Sequence, residues 1–197
     1  MHISEGVLSV PVLVSGAVLS VVGLTIGLHK IKNENIPKVA ILSSAFFIAS
    51  LIHIPLGPAS AHLVLNGLVG ILLGWAAFPS IFVALLLQTV LFQFGGFTTL
   101  GINTFSMAMP SVFSYYIFRG LLHRGKNIVF LGGFLGGALA LVVAAAFISI
   151  ALVITEKSFT AVAGTFFIMH LPVSIIEGII TGFVVVYLKK VKPEALG

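Results

Sequence analysis

Seven apolar segments joined by short connections dictate what this chain can fold into: residues 7–28, 36–54, 62–77, 78–94, 104–122, 128–154 and 159–188. A helix needs about 20 residues, with a range of about 17–25, to cross the hydrocarbon of a bilayer. The third and fourth segments are short and are divided only by "WAAFPS". There Pro79 and the small residues before it predict a tight turn at a membrane face rather than one long helix. Of the 197 residues, 59% are hydrophobic and 8% are charged. A soluble domain of this size has no interior large enough for that much apolar side chain. The sequence therefore predicts an all-α membrane protein with seven transmembrane helices and a single domain over residues 1–197.

The few charges orient those spans. Lys30, Lys32 and Lys38 flank the first connection, Arg119, Arg124 and Lys126 the fifth, and Lys189, Lys190 and Lys192 follow the last span. Only Lys157 lies elsewhere. Basic residues concentrate in cytoplasmic loops. Seven spans with the N-terminus outside and the C-terminus cytoplasmic put nine of the ten Lys and Arg on the cytoplasmic side. Six or eight spans blur that bias. The net charge of +5 is thus a topology signal, not a nucleic-acid surface. The opening "MHISEG" has no positive charge before the first apolar segment, so it does not read as a secretory signal. With no cysteine, the chain has neither a disulfide framework nor a thiolate metal site.

Small residues recur at helical spacing: Gly16, Ser20, Gly23 and Gly27; Gly67, Gly70 and Gly74; Gly132, Gly136, Ala140 and Ala144. They let helix backbones approach closely in lipid, and close packing inside the bundle is the simplest use for most of them. The polar groups are sparse and sided. His29 and His123 lie among the cytoplasmic basic residues, whereas His2, His53, His62 and His170 map to the outer half. Ionisable side chains inside a membrane are costly and point to function. His62 and Asn66 are spaced i, i+4, so they are expected to share a helix face. The connection "FQFGGFTTLGINTFSMAMP" is uncharged yet carries Gln93, Thr98, Thr99, Asn103 and Thr104. Such a segment is expected to fold back over a pocket between helices, where irregular backbone is tolerated. Glu177 is the only acid inside a span, with His170 seven residues earlier. It is either a hydrogen-bonded interior glutamate or part of a transport route.

Met1 and His2 carry the sharpest chemistry. A free terminal amine, the amide nitrogen of residue 2 and the Nδ1 atom of its imidazole close a five- and a six-membered ring on one metal ion. One position of a square plane stays open for a neutral imidazole from elsewhere. Nitrogen donors in a square plane suit Ni(II) or Cu(II), and nitrogen donors in general suit the late first-row metals. Binding must release protons, so affinity should fall in acid. An exposed Met-His dipeptide binds metal poorly; outer placement beside His62 and His53 gives the motif its weight.

"MHISEG", "GPASAHLVLNG", "LLLQTVLFQFGGFTTLGINTFSMAMP" and "HLPVSIIEGIITG" together resemble the cobalt/nickel substrate-binding subunits of energy-coupling-factor (ECF) transporters, over essentially the whole chain. The resemblance implies a seven-helix capture subunit whose extra first helix delivers the N-terminus into the bundle. It implies Co2+ or Ni2+ as the transported substrate, held by the Met1 amine, the His2 backbone nitrogen and imidazole, and His62 from the loop entering the third helix. His53, from the same loop, is the other candidate for the fourth position. Asn103 and Thr104 match the loop block expected to order the pocket; Asn66, His170 and Glu177 are further residues that could touch the metal or its ligands. The implied partners are a transmembrane coupling protein and two cytoplasmic ATPases. No nucleotide is expected on this chain: "GLLHRGKN" nearly matches a phosphate loop, but it ends in Asn127, lacks a preceding strand and lies between membrane helices. No His-Glu-x-x-His or paired-acid pattern suggests an enzyme. The rival reading is a stand-alone ion-coupled metal carrier in the cell membrane, with Glu177 and His170 relaying protons.

Overall fold

The computed structural model describes residues 2–56, 59–122 and 124–196, so Met1 and His123 lie outside the described residues. Seven helices occur among them: α1 (Val10–Lys30), α2 (Ile36–Ala49), α3 (Asn66–Leu73), α4 (Ala77–Phe92), α5 (Leu100–Phe118), α6 (Lys126–Thr155) and α7 (Thr160–Val191). Pro11 and Pro37 stand in the first turns of α1 and α2, where the missing N–H costs no hydrogen bond. Four stretches are long and apolar enough to cross a membrane: Val10–Lys30, Asn66–Phe92, Lys126–Thr155 and Lys157–Val191. The third of the expected segments is mostly not helical before Asn66. Its start belongs to a two-stranded antiparallel ribbon, β1 (His53–Leu56) and β2 (Ala59–His62), in which His53 is the register partner of His62.

Hydrogen bonds fix which helix ends lie together. Ser9 N donates to Thr155 Oγ1 at 3.3 Å, so α1 begins where α6 ends. Gln88 Nε2 donates to Ser50 Oγ at 2.8 Å, joining the ends of α2 and α4. At the opposite end, the Trp75 indole donates to the Tyr116 hydroxyl at 3.1 Å, and a Cβ on Gly27 would lie 2.6 Å from Trp75 O. The end of α1, the α3–α4 junction and the end of α5 therefore meet. Lys38 Nζ donates to Ala195 O at 2.8 Å and Lys189 Nζ to Leu122 O at 3.0 Å, which adds the start of α2 and the end of α7. Successive helices thus reverse direction. Gly74, at φ +55°, breaks the 66–92 stretch into α3 and α4, a conformation that only glycine takes without strain.

The surface is apolar and the interior is comparatively polar. Val10, Ile41, Ile154, Ile168 and Phe183 are exposed, whereas Ser43, Asn66, Gln88, Asn103, Thr104, Ser111 and Glu177 are buried. Lipid rewards the first arrangement, and the second is possible only where each buried polar group finds a partner. The small-residue stripes are packing seams. A Cβ on Gly16 would lie 2.6 Å from Ile102 Cβ, and one on Gly67 would lie 2.5 Å from Gly136 O. On Gly133 it would lie 2.8 Å from Gly182 Cα.

Candidate metal centre

Residues 2–5 precede α1 and turn into the bundle rather than away from it. Ile3 is buried, and the Asn103 amide clasps its backbone as a strand would: Ile3 N donates to Oδ1 and Nδ2 donates to Ile3 O, both at 3.1 Å. A third bond, from Nδ2 to Thr99 Oγ1 at 3.3 Å, fixes the amide. Two residues on, Glu5 Oε1 accepts from Thr98 N at 3.0 Å and from Thr98 Oγ1 at 3.4 Å. The 93–99 connection therefore lies over the N-terminal segment; the rest of the stretch expected as an outer connection, from Leu100 to Pro110, is helical and belongs to α5. A Cβ on Gly96, at φ +155°, would overlap the Glu5 side chain.

This clasp aims His2 at His62. Their rings stack with centroids 5.0 Å apart and planes 24° from parallel, and Phe94 lies 6.1 Å from His2 on another side. The His2 tautomer follows from a chain of hydrogen bonds. Ser50 Oγ donates its proton to Phe47 O at 2.6 Å, so it accepts from Gln88 Nε2 at 2.8 Å. Gln88 Oε1 then faces His2 Nε2 at 2.6 Å and must accept from it. In a neutral ring that leaves the lone pair on Nδ1, the atom the Met1–His2 chelate requires. Burial lowers the His2 imidazole from its ordinary value to about 4, against the opposing pull of the Gln88 bond, so the ring is neutral at physiological pH.

His62 ends β2 and is buried; its Nδ1 lies 3.0 Å from Leu63 O. The carbonyl must accept from Nδ1–H, which leaves the Nε2 lone pair as the donor atom for a metal. Beyond it the chain changes from strand to helix at Leu65, which holds φ +57°, unusual for a side chain of this kind. Glu177 supports that turn from α7. Its fully buried carboxylate accepts from Val64 N and from Leu65 N, at 3.0 Å to Oε1 and 2.8 Å to Oε2. The acid is thus a fixed anchor for the segment that presents His62.

The remaining candidates are placed as follows. Because β2 ends at His62 and α3 starts at Asn66, the two do not share a helix face; non-helical backbone with a left-handed Leu65 replaces the expected turn. Asn66 instead donates to Met107 O at 3.4 Å and Ala140 O at 3.3 Å, tying α3 to α5 and α6. Thr104 bonds back to Leu100 O at 2.7 Å within its own helix. His170 is buried, its Nδ1 2.7 Å from Phe166 O, and its Nε2 has no hydrogen-bond partner among the described residues. The backbone of His53 lies in β1, while its side chain, like Met1, is outside the described part. Among the described residues no three His or acidic side chains converge. His2 and His62 stack, and His170 lies near enough to His62 for the two rings to interact electrostatically. Sequence reasoning missed Gln88, Ser50 and Glu5; the lone amide in the apolar run "LLLQTVLF" is the signal by which the first could have been found.

Known proteins share both sequence and shape with this chain. A Haemophilus influenzae protein assigned to metal transport is 41% identical over 202 residues, which take in all of this chain and 97% of the relative. The cobalt transport protein CbiM of Thermosipho melanesiensis is 34% identical, over 94% of this chain and 85% of its own. A crystal structure of a transition metal transporter superposes with a TM-score of 0.84 at 31% identity, covering 97% of this chain and 93% of the other. Residues 2–195 match the model of the CbiM family, the cobalt uptake substrate-specific transmembrane region, and the chain belongs to that family.

Proposed function

We propose that this chain is the substrate-binding membrane subunit of an ATP-driven ECF-type transporter and captures one Co2+ or Ni2+ ion. The Met1 amine, the His2 amide nitrogen and His2 Nδ1 supply three donors, and His62 Nε2 supplies the fourth; His53, its ribbon partner, is the alternative. The observation that carries this reading is the insertion of residues 2–5 into the bundle with His2 stacked 5.0 Å from His62. The His2 tautomer supports it, since the Gln88 bond leaves Nδ1 as the free lone pair. Asn103 and Glu177 position the two imidazoles without touching the metal.

The chain is a transport component of the cell membrane, not an enzyme. Its single domain spans the bilayer seven times, with the N-terminus outside and the C-terminus cytoplasmic. The reversal of successive helices and the gathering of nine of ten Lys and Arg at one end support this topology. A transmembrane coupling protein and cytoplasmic ATPases supply the energy; this chain holds the metal and binds no nucleotide. A stand-alone carrier would need Glu177 to exchange protons. Its carboxylate accepts backbone bonds from Val64 and Leu65, which favours the anchoring role.

The test is metal analysis of the purified protein after exposure to mixed Co(II), Ni(II), Zn(II) and Cu(II). One bound cobalt or nickel is expected, lost in His2→Ala and on acetylation of the terminal amine. Each change removes one nitrogen donor and leaves every helix intact; full metal binding after either refutes the clamp.

A further inference from the structure

At the basic end of the bundle, α6 and α7 part to form a cleft. The two helices touch backbone to backbone at Gly133 and Gly182. One turn nearer the basic end, Phe130 and Phe183 meet edge to face, with centroids 5.1 Å apart at 68°. Beyond that pair the cleft encloses about 790 Å³. Its mouth is set by Lys126 and Asn127 on α6 and by Tyr187 and Lys190 on α7. Lys189 also lines it, but its ammonium group donates to the carbonyls of Leu122 and Arg124 and holds the α5–α6 connection in place. Phe183 and Tyr187 are exposed on the apolar exterior, so the cleft opens sideways as well as toward the basic end.

The charge balance selects the occupant. Glu5 and Glu156 lie at the other end, and Glu177 is buried against Val64 and Leu65. Only Glu34 and Glu194 remain at this end, and neither lines the cleft. Lys126 and Lys190 thus line the same largely apolar cleft, with no carboxylate among its lining residues. Lys126, the lysine of the near phosphate-loop match "GLLHRGKN", and Asn127, where that match fails, line the cleft from α6. The walls are greasy, the rim is cationic and one side is open to lipid. A soluble anion would use the rim alone, whereas a lipid uses all three.

We propose that this cleft holds one acidic phospholipid, its phosphate between the Lys126 and Lys190 ammonium groups and its first methylenes against Phe130 and Phe183. Basic pockets between helices at the cytoplasmic leaflet suit such headgroups. The volume is within the range of ordinary ligand pockets. Each lysine near an anionic lipid contributes about 1 kcal/mol, so two give about a thirtyfold preference over a zwitterionic lipid.

Native mass spectrometry of the intact protein, released from bilayers of mixed phosphatidylglycerol and phosphatidylcholine, tests this. One retained phosphatidylglycerol is expected, with the preference lost in Lys126→Gln/Lys190→Gln and kept in Lys126→Arg/Lys190→Arg. Metal binding, measured on the same samples, should be unchanged in both and shows that the variants are folded. Equal retention of the two lipids by the native chain overturns the proposal, as does a preference that survives the glutamine pair. Inorganic phosphate displacing the lipid at millimolar concentration would reduce the site to a surface anion site. Loss of the lipid on assembly with the other transporter subunits, with Tyr187 becoming protected from modification, would assign the cleft to a protein contact instead.

Discussion

Replacing Gln88 by leucine should weaken metal binding without removing any proposed ligand. The substitution roughly conserves volume but deletes the acceptor 2.6 Å from His2 Nε2 and the donor 2.8 Å from Ser50 Oγ. Ser50 keeps its bond to Phe47 O, so the main loss falls on the imidazole. A buried N–H left without an acceptor costs about 1–3 kcal/mol, equivalent to about 5- to 150-fold in an equilibrium constant. Partners that orient a metal-bound histidine typically contribute about 10–100-fold. We therefore expect the dissociation constant for Ni(II) or Co(II), measured by competition with a chromophoric chelator, to rise by about 10–100-fold. Gln88→Glu keeps an acceptor at the same reach and should retain near-native affinity. Thermal unfolding of each variant in the same detergent separates a site effect from a folding defect. Native affinity in a well-folded Gln88→Leu protein would show that the bond does not position His2.

Glu177→Ala leaves Val64 N and Leu65 N without their shared acceptor; bonds to a charged group contribute about 1.5–3 kcal/mol each, so a marked drop in unfolding temperature and lost metal binding are expected. Glu177→Gln should fall between, whereas a proton-relay role would leave stability untouched. Gly70→Ala forces a Cβ into the Ser111 carbonyl where two backbones touch; overpacking of this kind costs about 1–3 kcal/mol and should appear as a lower unfolding temperature. The pH dependence of metal binding has a definite sign. With its pKa lowered to about 4, the His2 ring stays neutral well below the ordinary imidazole value and does not compete with metal there. Affinity should fall in acid as protons recapture the His2 amide nitrogen and the terminal amine, the latter with an ordinary pKa of about 7.7–8.0, and a separate break near the ordinary imidazole value in a metal titration would refute this.

Much of the architecture is readable from hydropathy because lipid imposes one rule on every span. The "WAAFPS" turn, the glycine seams and the folding back of the 93–99 connection all follow from local composition. Where the readings fail, long-range contacts decide. The 62–65 segment is as apolar as a helix, but Glu177, more than a hundred residues away, holds its backbone extended and then left-handed at Leu65. The i, i+4 spacing of His62 and Asn66 therefore carries no helical meaning. Gln88 resembles a stray polar residue until Ser50 and His2 are brought to either side of it. Glu5 reads as a solvated acid, and only the fold brings Thr98 to its carboxylate. Local pattern indicates which residues are polar in an apolar chain; only the fold pairs them.

The anchoring of α7 has a mechanical consequence. One rigid helix carries Glu177, which grips the segment holding His62, and Lys189, which grips the α5–α6 connection at the far end. The two grips are twelve residues apart, about 18 Å along the axis. A tilt imposed on the lower end cannot dissipate in loops, because both attachments are hydrogen bonds to backbone rather than side chains sliding in grease. It must reach Val64 and Leu65 as a displacement, and through them open or close the gap between two stacked imidazole rings. In the proposed transporter α7 would be a connecting rod: force entering at one end of the membrane protein would act on an ion held near the other.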